Sequence, residues 1–173
     1  MDVTSILLLL LIGALATYFF GDKLASKVAL LFSLATFGLS LYLVSILSNG
    51  GNISFSMPWM NLPKMTLAFK ADGLSMAMVV LTTALIPLII FSSFANNFKS
   101  AKSIYALILF MSFAMIGTFL AADGLLYYIF WELALIPIYF ITLIWGNGDN
   151  KKKKKAVVKF FIYTLAGSLF MLI

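Results

Sequence analysis

The sequence contains no cysteine, no histidine and no arginine. Without thiolate or imidazole side chains, the chain has no ligands for an iron–sulfur cluster, a bis-histidine haem or a histidine-based metal site. The same absence excludes Cys and His nucleophiles. It leaves the redox compartment open. Charge is scarce too, at 10% of the 173 residues, against 63% hydrophobic residues and a mean hydropathy of +1.08. Those values lie outside the usage of soluble domains and indicate an integral membrane protein. The net charge of +6 comes entirely from 12 lysines set against six acids. These lysines stand in gaps between apolar runs rather than on one folded face, which argues against nucleic acid as a partner. Five of the six acids fall at helix ends or in loops, too few in any one place for a self-contained active site.

What is present is a series of apolar runs. Six qualify as spanning helices, at 3–20, 28–48, 73–95, 104–122, 125–145 and 156–173. The expected fold is an all-α transmembrane bundle. Residues 1–103 would form three helices with an outer-side hairpin at 49–71, and residues 104–173 three more. Ala14-Leu15-Ala16 resembles a leader cleavage site, but Asp2 replaces the usual basic start and Tyr18, Phe19 and Phe20 follow, so the first run reads as a helix. In the hairpin segment Ile53, Phe55 and Met57 alternate with Ser54 and Ser56, and the alternation resumes at 66–70 after Asn61-Leu62-Pro63. Asp72 followed by Ser75 is a capping pattern for helix three, and Asp123 can cap helix five in the same way. The final residues, Met171-Leu172-Ile173, carry no polar flank, so the sequence reads as the front part of a longer protein or as one part of a complex whose remainder lies elsewhere.

If the first, third and fifth connections face the cytoplasm, they hold Lys23, Lys27, Lys99, Lys102 and the lysines at 151–155, with Lys159 just inside helix six. Lys64 and Lys70 alone remain opposite. This asymmetry predicts an N-terminus outside. The five-lysine run reads as a topology anchor at anionic lipid.

Helix five carries the chemistry. Glu132 lies seven residues in from Leu125, roughly 10 Å deep at 1.5 Å per residue. A charge at that depth costs on the order of 2.5–3.5 kcal/mol and requires a partner, water or a proton. Tyr128, Glu132, Leu135, Tyr139 and Thr142 follow steps of four, three, four and three, placing them on one face. Three hydroxyls beside a carboxyl mark a candidate proton path turned into a bundle. Pro137 removes the backbone bond to the Leu133 carbonyl and Pro87 that to Thr83. Each loosens a turn, as prolines in membrane helices generally do. Lys159 shares a face with Tyr163. It is either a lysine snorkelling to the surface or the mouth of a polar channel. Thr164, Ala166, Gly167 and Ser168 form a small-residue patch suited to close helix packing.

Phe130-Trp131-Glu132-Leu133, then Pro137, then Trp145-Gly146, resembles the fifth helix of the M-type antiporter-like subunits of respiratory complex I, the NADH–quinone oxidoreductase. Lys159-Phe160-Phe161-Ile162-Tyr163-Thr164 is similar to the start of that family's sixth helix, and Asp72-Gly73-Leu74-Ser75 to the start of its third. The likeness extends from Asp72 onward, while the first two helices fit in arrangement only. The resemblance implies an inverted-repeat fold, of which helices four to six open the first repeat. It implies that Glu132 is the membrane glutamate that the family pairs with a lysine on an interrupted seventh helix. That helix and its lysine lie outside this sequence. Implied with it are proton translocation driven by quinone reduction elsewhere, L-type and N-type neighbours in a bacterial inner membrane, and FMN, iron–sulfur clusters and quinone in partner subunits. A cation/proton antiporter of the Mrp type and a membrane scaffold subunit are the alternatives.

Overall fold

The structure is a computed structural model that describes residues 3–60, 65–96 and 98–172. Among these residues the chain forms six helices and one hairpin. The elements are α1 (Thr4–Phe19), α2 (Asp22–Ser48), β1 (Ile53–Met60), β2 (Met65–Ala71), α3 (Gly73–Ser92, prolonged by a 3₁₀ turn at Ser93–Ala95), α4 (Ala101–Leu120), α5 (Gly124–Trp145) and α6 (Asn150–Leu172). Six helices agree with the sequence, but only α2, α3 with its 3₁₀ turn, α4 and α5 are both long and apolar enough to cross a bilayer. The 16 residues of α1 span about 24 Å. In α6 the lysines at its start dilute the apolar content.

Two boundaries differ from expectation for physical reasons. Helix two begins at Asp22 rather than at residue 28, because the Asp22 carboxylate accepts a hydrogen bond from the Lys102 backbone N–H at 2.9 Å and so ties the first turns of α2 and α4 together. Helix six begins at Asn150 rather than at residue 156. The lysine run is therefore helical and not a loop, as the favourable helix propensity of lysine allows. Asn61, Leu62, Pro63 and Lys64, expected to turn the hairpin, lie outside the described residues, as do Asp2 and Ile173.

The helices alternate in direction, and cross-connections identify the two ends. At one end Lys102 stands over the Tyr18 ring, 5.2 Å from its centre. At the same end the Trp145 indole N–H donates to the Lys99 carbonyl at 3.0 Å, and the Lys153 ammonium donates to the Gly146 carbonyl at 3.1 Å. The first, third and fifth connections thus share one end. At the other, β1 and β2 pair antiparallel, with Phe55 opposite Phe69. The hairpin then joins the α4–α5 connection through the Ala122 N–H, which donates to the Ala68 carbonyl at 2.9 Å.

The core lies where α1, α2, α3 and α4 meet. The buried face of α2 is Ala25, Ala29, Ser33, Thr36, Ser40 and Leu43, small residues at helical spacing that let backbones approach. Ser40 and Thr83 share a buried hydrogen bond of 2.9 Å between α2 and α3, and the Ser93 hydroxyl donates to the Tyr105 hydroxyl at 3.0 Å. The expected caps form. Asp72 accepts from the Ser75 N–H at 2.7 Å while the Ser75 hydroxyl accepts from the Asp72 N–H at 2.8 Å. Asp123 accepts from Leu125 and Leu126. Both α3 and α5 run unbroken through Pro87 and Pro137.

Candidate functional site

Among the described residues, Glu132 is the one acid in the interior of a helix. Its direction is set by a neighbour two residues away. Phe130 is buried and packs edge-on against Phe69 of the hairpin, at 5.7 Å between ring centres, and against Phe113 of α4 at 5.5 Å. Two residues along an α-helix turn the side chain through about 200°. Fixing Phe130 toward α4 and the hairpin therefore sends Glu132 to the opposite side of α5, where α6 lies.

There it meets Ser168, whose hydroxyl donates to Glu132 Oε1. Seven residues further along α5, Tyr139 meets Phe161 edge-on at 5.5 Å. Phe161 stands seven residues back along α6, so the two helices run antiparallel in a heptad-like register. Ser168 is 8% exposed and Glu132 half-buried. Of the small-residue patch, Ser168 alone is buried against α5. Ala166 and Gly167 are exposed, and nothing approaches within 4 Å of the Cβ position of Gly167. The sequence placed Ser168 in a packing role and missed it as a partner of Glu132. No spacing within α6 alone marked it, because the register with α5 decides which residue of the patch is buried.

The hydroxyl stripe divides. Tyr139 faces α6, lining an apolar groove of about 340 Å³ with Ile136, Phe140, Val158 and Phe161. Tyr128 is half-buried, and neither tyrosine hydroxyl has a hydrogen-bond partner among the described residues. Thr142 is exposed and donates to its own helix at the Ile138 carbonyl, 2.8 Å away. Beside Leu135 a second space, about 230 Å³ and lined by Met115, Thr118, Phe119, Trp131 and Ala134 among others, opens between α4 and α5. It contains none of the striped hydroxyls. Lys159 and Tyr163 are both exposed on α6, and neither bonds to Glu132. Asp72 and Asp123 serve as caps. The Asp72 carboxyl, outside the spans, is held below the usual carboxylate range, first by the Ser75 N–H and then by the Ser75 hydroxyl. No three acidic side chains among the described residues stand together in a way that could hold a metal ion.

Residues 121–173, which include Glu132 and Ser168, match the family described as NADH:quinone oxidoreductase/Mrp antiporter, transmembrane region. The whole chain aligns with F(420)H(2) dehydrogenase subunit M of Methanosarcina mazei, at 38% identity over 178 positions and 35% of that protein's length. The NADH-quinone oxidoreductase subunit M of Escherichia coli K12 is 36% identical over 165 residues, 89% of this chain and 32% of the relative. The chain belongs to the M-type antiporter-like family. The NADH-ubiquinone oxidoreductase chain 4 of Arabidopsis thaliana is also 36% identical, over 87% of this chain and 31% of its own length. The chain spans about a third of the length of these relatives. As an M-type chain it is a multi-pass membrane protein, and the two motif residues Trp145 and Gly146 acquire a physical role. Trp145 ties the end of α5 to the third connection. A side chain on Gly146 would collide with the Thr142 carbonyl.

Proposed function

We propose that the chain acts within a proton-translocating membrane-arm subunit of a quinone-reducing oxidoreductase, with Glu132 carrying the proton. The observation that carries this reading is the single acid inside an apolar helix, turned away from the hairpin side and hydrogen-bonded across to α6. An ionisable group in hydrocarbon is neutral unless a cation or water supports its charge. A cation brought beside a carboxyl favours its charged form, and withdrawing the cation favours the neutral one. Quinone chemistry elsewhere, driving such a movement, would load and unload the site. Tyr128, Tyr139 and Thr142 are the hydroxyls of α5 assigned to hold connecting water, and Lys159, roughly two and a half turns into α6, is a cation near its mouth.

The chain itself supplies no electron carrier. With neither Cys nor His, these residues have no ligands for an iron–sulfur cluster, and this reading assigns FMN, clusters and the quinone site to partner subunits. L-type and N-type antiporter-like subunits are its expected neighbours. The electron donor is set by those partners, since the relatives are named for F(420)H(2) in one case and NADH in others. The lysine-rich end faces the cytoplasm of a bacterial inner membrane by the positive-inside rule, leaving the N-terminus and hairpin outside.

Glu132→Gln in the assembled complex tests the reading, because the amide oxygen still accepts from Ser168 while the group no longer titrates. Proton pumping per quinone reduced should collapse with assembly intact. Wild-type coupling in that variant removes Glu132 from the mechanism. The matching family also includes Mrp antiporters, and this favours a second reading as an independent cation/proton exchanger. Co-purification with flavin and iron–sulfur subunits separates the two.

A further inference from the structure

We propose that Ser168 is the positioning residue of Glu132, serving both protonation states of the carboxyl by exchanging donor and acceptor roles while its oxygen stays in place. The inference rests on Glu132 being the proton carrier. A serine hydroxyl has one proton to give and two lone pairs. Ser168 has two acceptors within reach, Glu132 Oε1 and the Leu165 carbonyl, the latter at 2.9 Å. Its one proton satisfies one of them at a time.

When Glu132 is ionised, the Ser168 proton points to the carboxylate in a charge-assisted bond. When Glu132 is protonated, its O–H donates to Ser168 Oγ, and the serine proton rotates to the Leu165 carbonyl. The heavy atoms occupy the same positions in both states. The translocated proton arrives at and leaves from Glu132, and the serine proton turns without being transferred. A lysine or a backbone N–H in the same place only donates, and so supports one state alone.

No other side chain competes for this role among the described residues. The ionisable groups of α4 are Lys102 and Tyr105, both in its first two turns at the far end, and the Tyr105 hydroxyl is engaged with Ser93. On α6, Lys159 and Tyr163 are exposed, and the lysines at 151–155 occupy its opposite end. On α5 itself, neither Tyr128 nor Tyr139 bonds to the carboxyl.

The test uses infrared difference spectra and pumping assays on the assembled complex, with Ser168→Ala, Ser168→Thr and Ser168→Cys introduced in the full-length subunit. Glu132→Gln assigns the neutral carboxyl band. In Ser168→Ala that band should move to higher wavenumber and the rate of pumping should fall about fivefold, the effect of one net hydrogen bond. Ser168→Thr should restore both. Ser168→Cys fills the same space with a weak donor and should give an intermediate band. A wild-type band in both Ser168→Ala and Ser168→Cys overturns the role of Ser168. If Glu132→Gln stops pumping while those two variants match wild type, the failure belongs to this inference alone. If Glu132→Gln pumps normally, the proton-carrier reading fails and the role of Ser168 in turnover goes with it.

Discussion

The Phe130 ring occupies the space beside Gly117 where a side chain would stand, so α4 and α5 touch through an aromatic ring against bare backbone. The contact lies two residues from Glu132 and sets which way the carboxyl faces. Gly117→Ala would drive a methyl group into that ring, and overpacking of this kind costs typically about 1–3 kcal/mol. The thermal midpoint of the purified complex should fall in Gly117→Ala and partly recover in Gly117→Ala combined with Phe130→Leu. Equal midpoints for the two variants would mean that the ring is not what the methyl group meets.

The interface between α2 and α3 should respond to volume more than to lost polarity. Ser40 and Thr83 bond to each other at 2.9 Å, yet each also bonds to a carbonyl of its own helix. Ser40→Ala therefore orphans nothing and should cost about 0.5–1.5 kcal/mol, the net value of one hydrogen bond. Ser40→Leu places a large side chain on a fully buried stripe of small residues and should cost at least twice as much through overpacking. Melting curves of the two variants decide the order.

Hydropathy and helical spacing made the six helices, the hairpin, both aspartate caps and the position of Glu132 legible in the sequence, because each follows from residues within a few turns of one another. What could not be read was rotation about a helix axis. Ser168 and Gly167 look alike as members of a small-residue patch, and only the antiparallel register of α5 and α6 separates the buried one from the exposed one. A long-range contact likewise moved one helix start, that of α2. Asp22 reaches Lys102 across 80 positions, and no local pattern announces that. The small-residue stripe on α2 was written in the sequence at spacings of four and three, and its meaning comes from the close approach of α3 and α4.

Stability should depend on acid pH through the capping box of α3. The Asp72 carboxyl is held below its usual range by the Ser75 N–H and hydroxyl, whereas the unfolded chain titrates near the ordinary aspartate value of about 3.9. A depressed folded value means that the stabilisation is present above the unfolded value and is lost as pH falls through the folded one. Asp72 is solvent-exposed, so the effect is screened and small. The difference in thermal midpoint between the wild type and Asp72→Asn should therefore be largest near neutrality and shrink below pH of about 4. A difference that stayed constant across that range would assign it to backbone geometry rather than to charge.

Orientation is open to a direct chemical measurement, because these 173 residues contain no cysteine and labelling of an introduced thiol is read against the parent protein without it. Cross-contacts group the first, third and fifth connections at one end. That end carries Lys23, Lys27, Lys99, Lys102 and the start of α6, whereas Lys70 stands on the hairpin at the other. Lys154 and Ser54 are both exposed and lie at opposite ends. A Lys154→Cys thiol should be labelled by a membrane-impermeant maleimide only in inverted vesicles, and a Ser54→Cys thiol only in right-side-out spheroplasts. The lysine asymmetry makes this the expected sense, since basic residues are retained on the cytoplasmic side during insertion. The reverse pattern would place Glu132 nearer the cytoplasmic face and would require the proton to enter the α5–α6 contact from the opposite side. Labelling of both positions in one preparation would contradict the alternation of the helices itself.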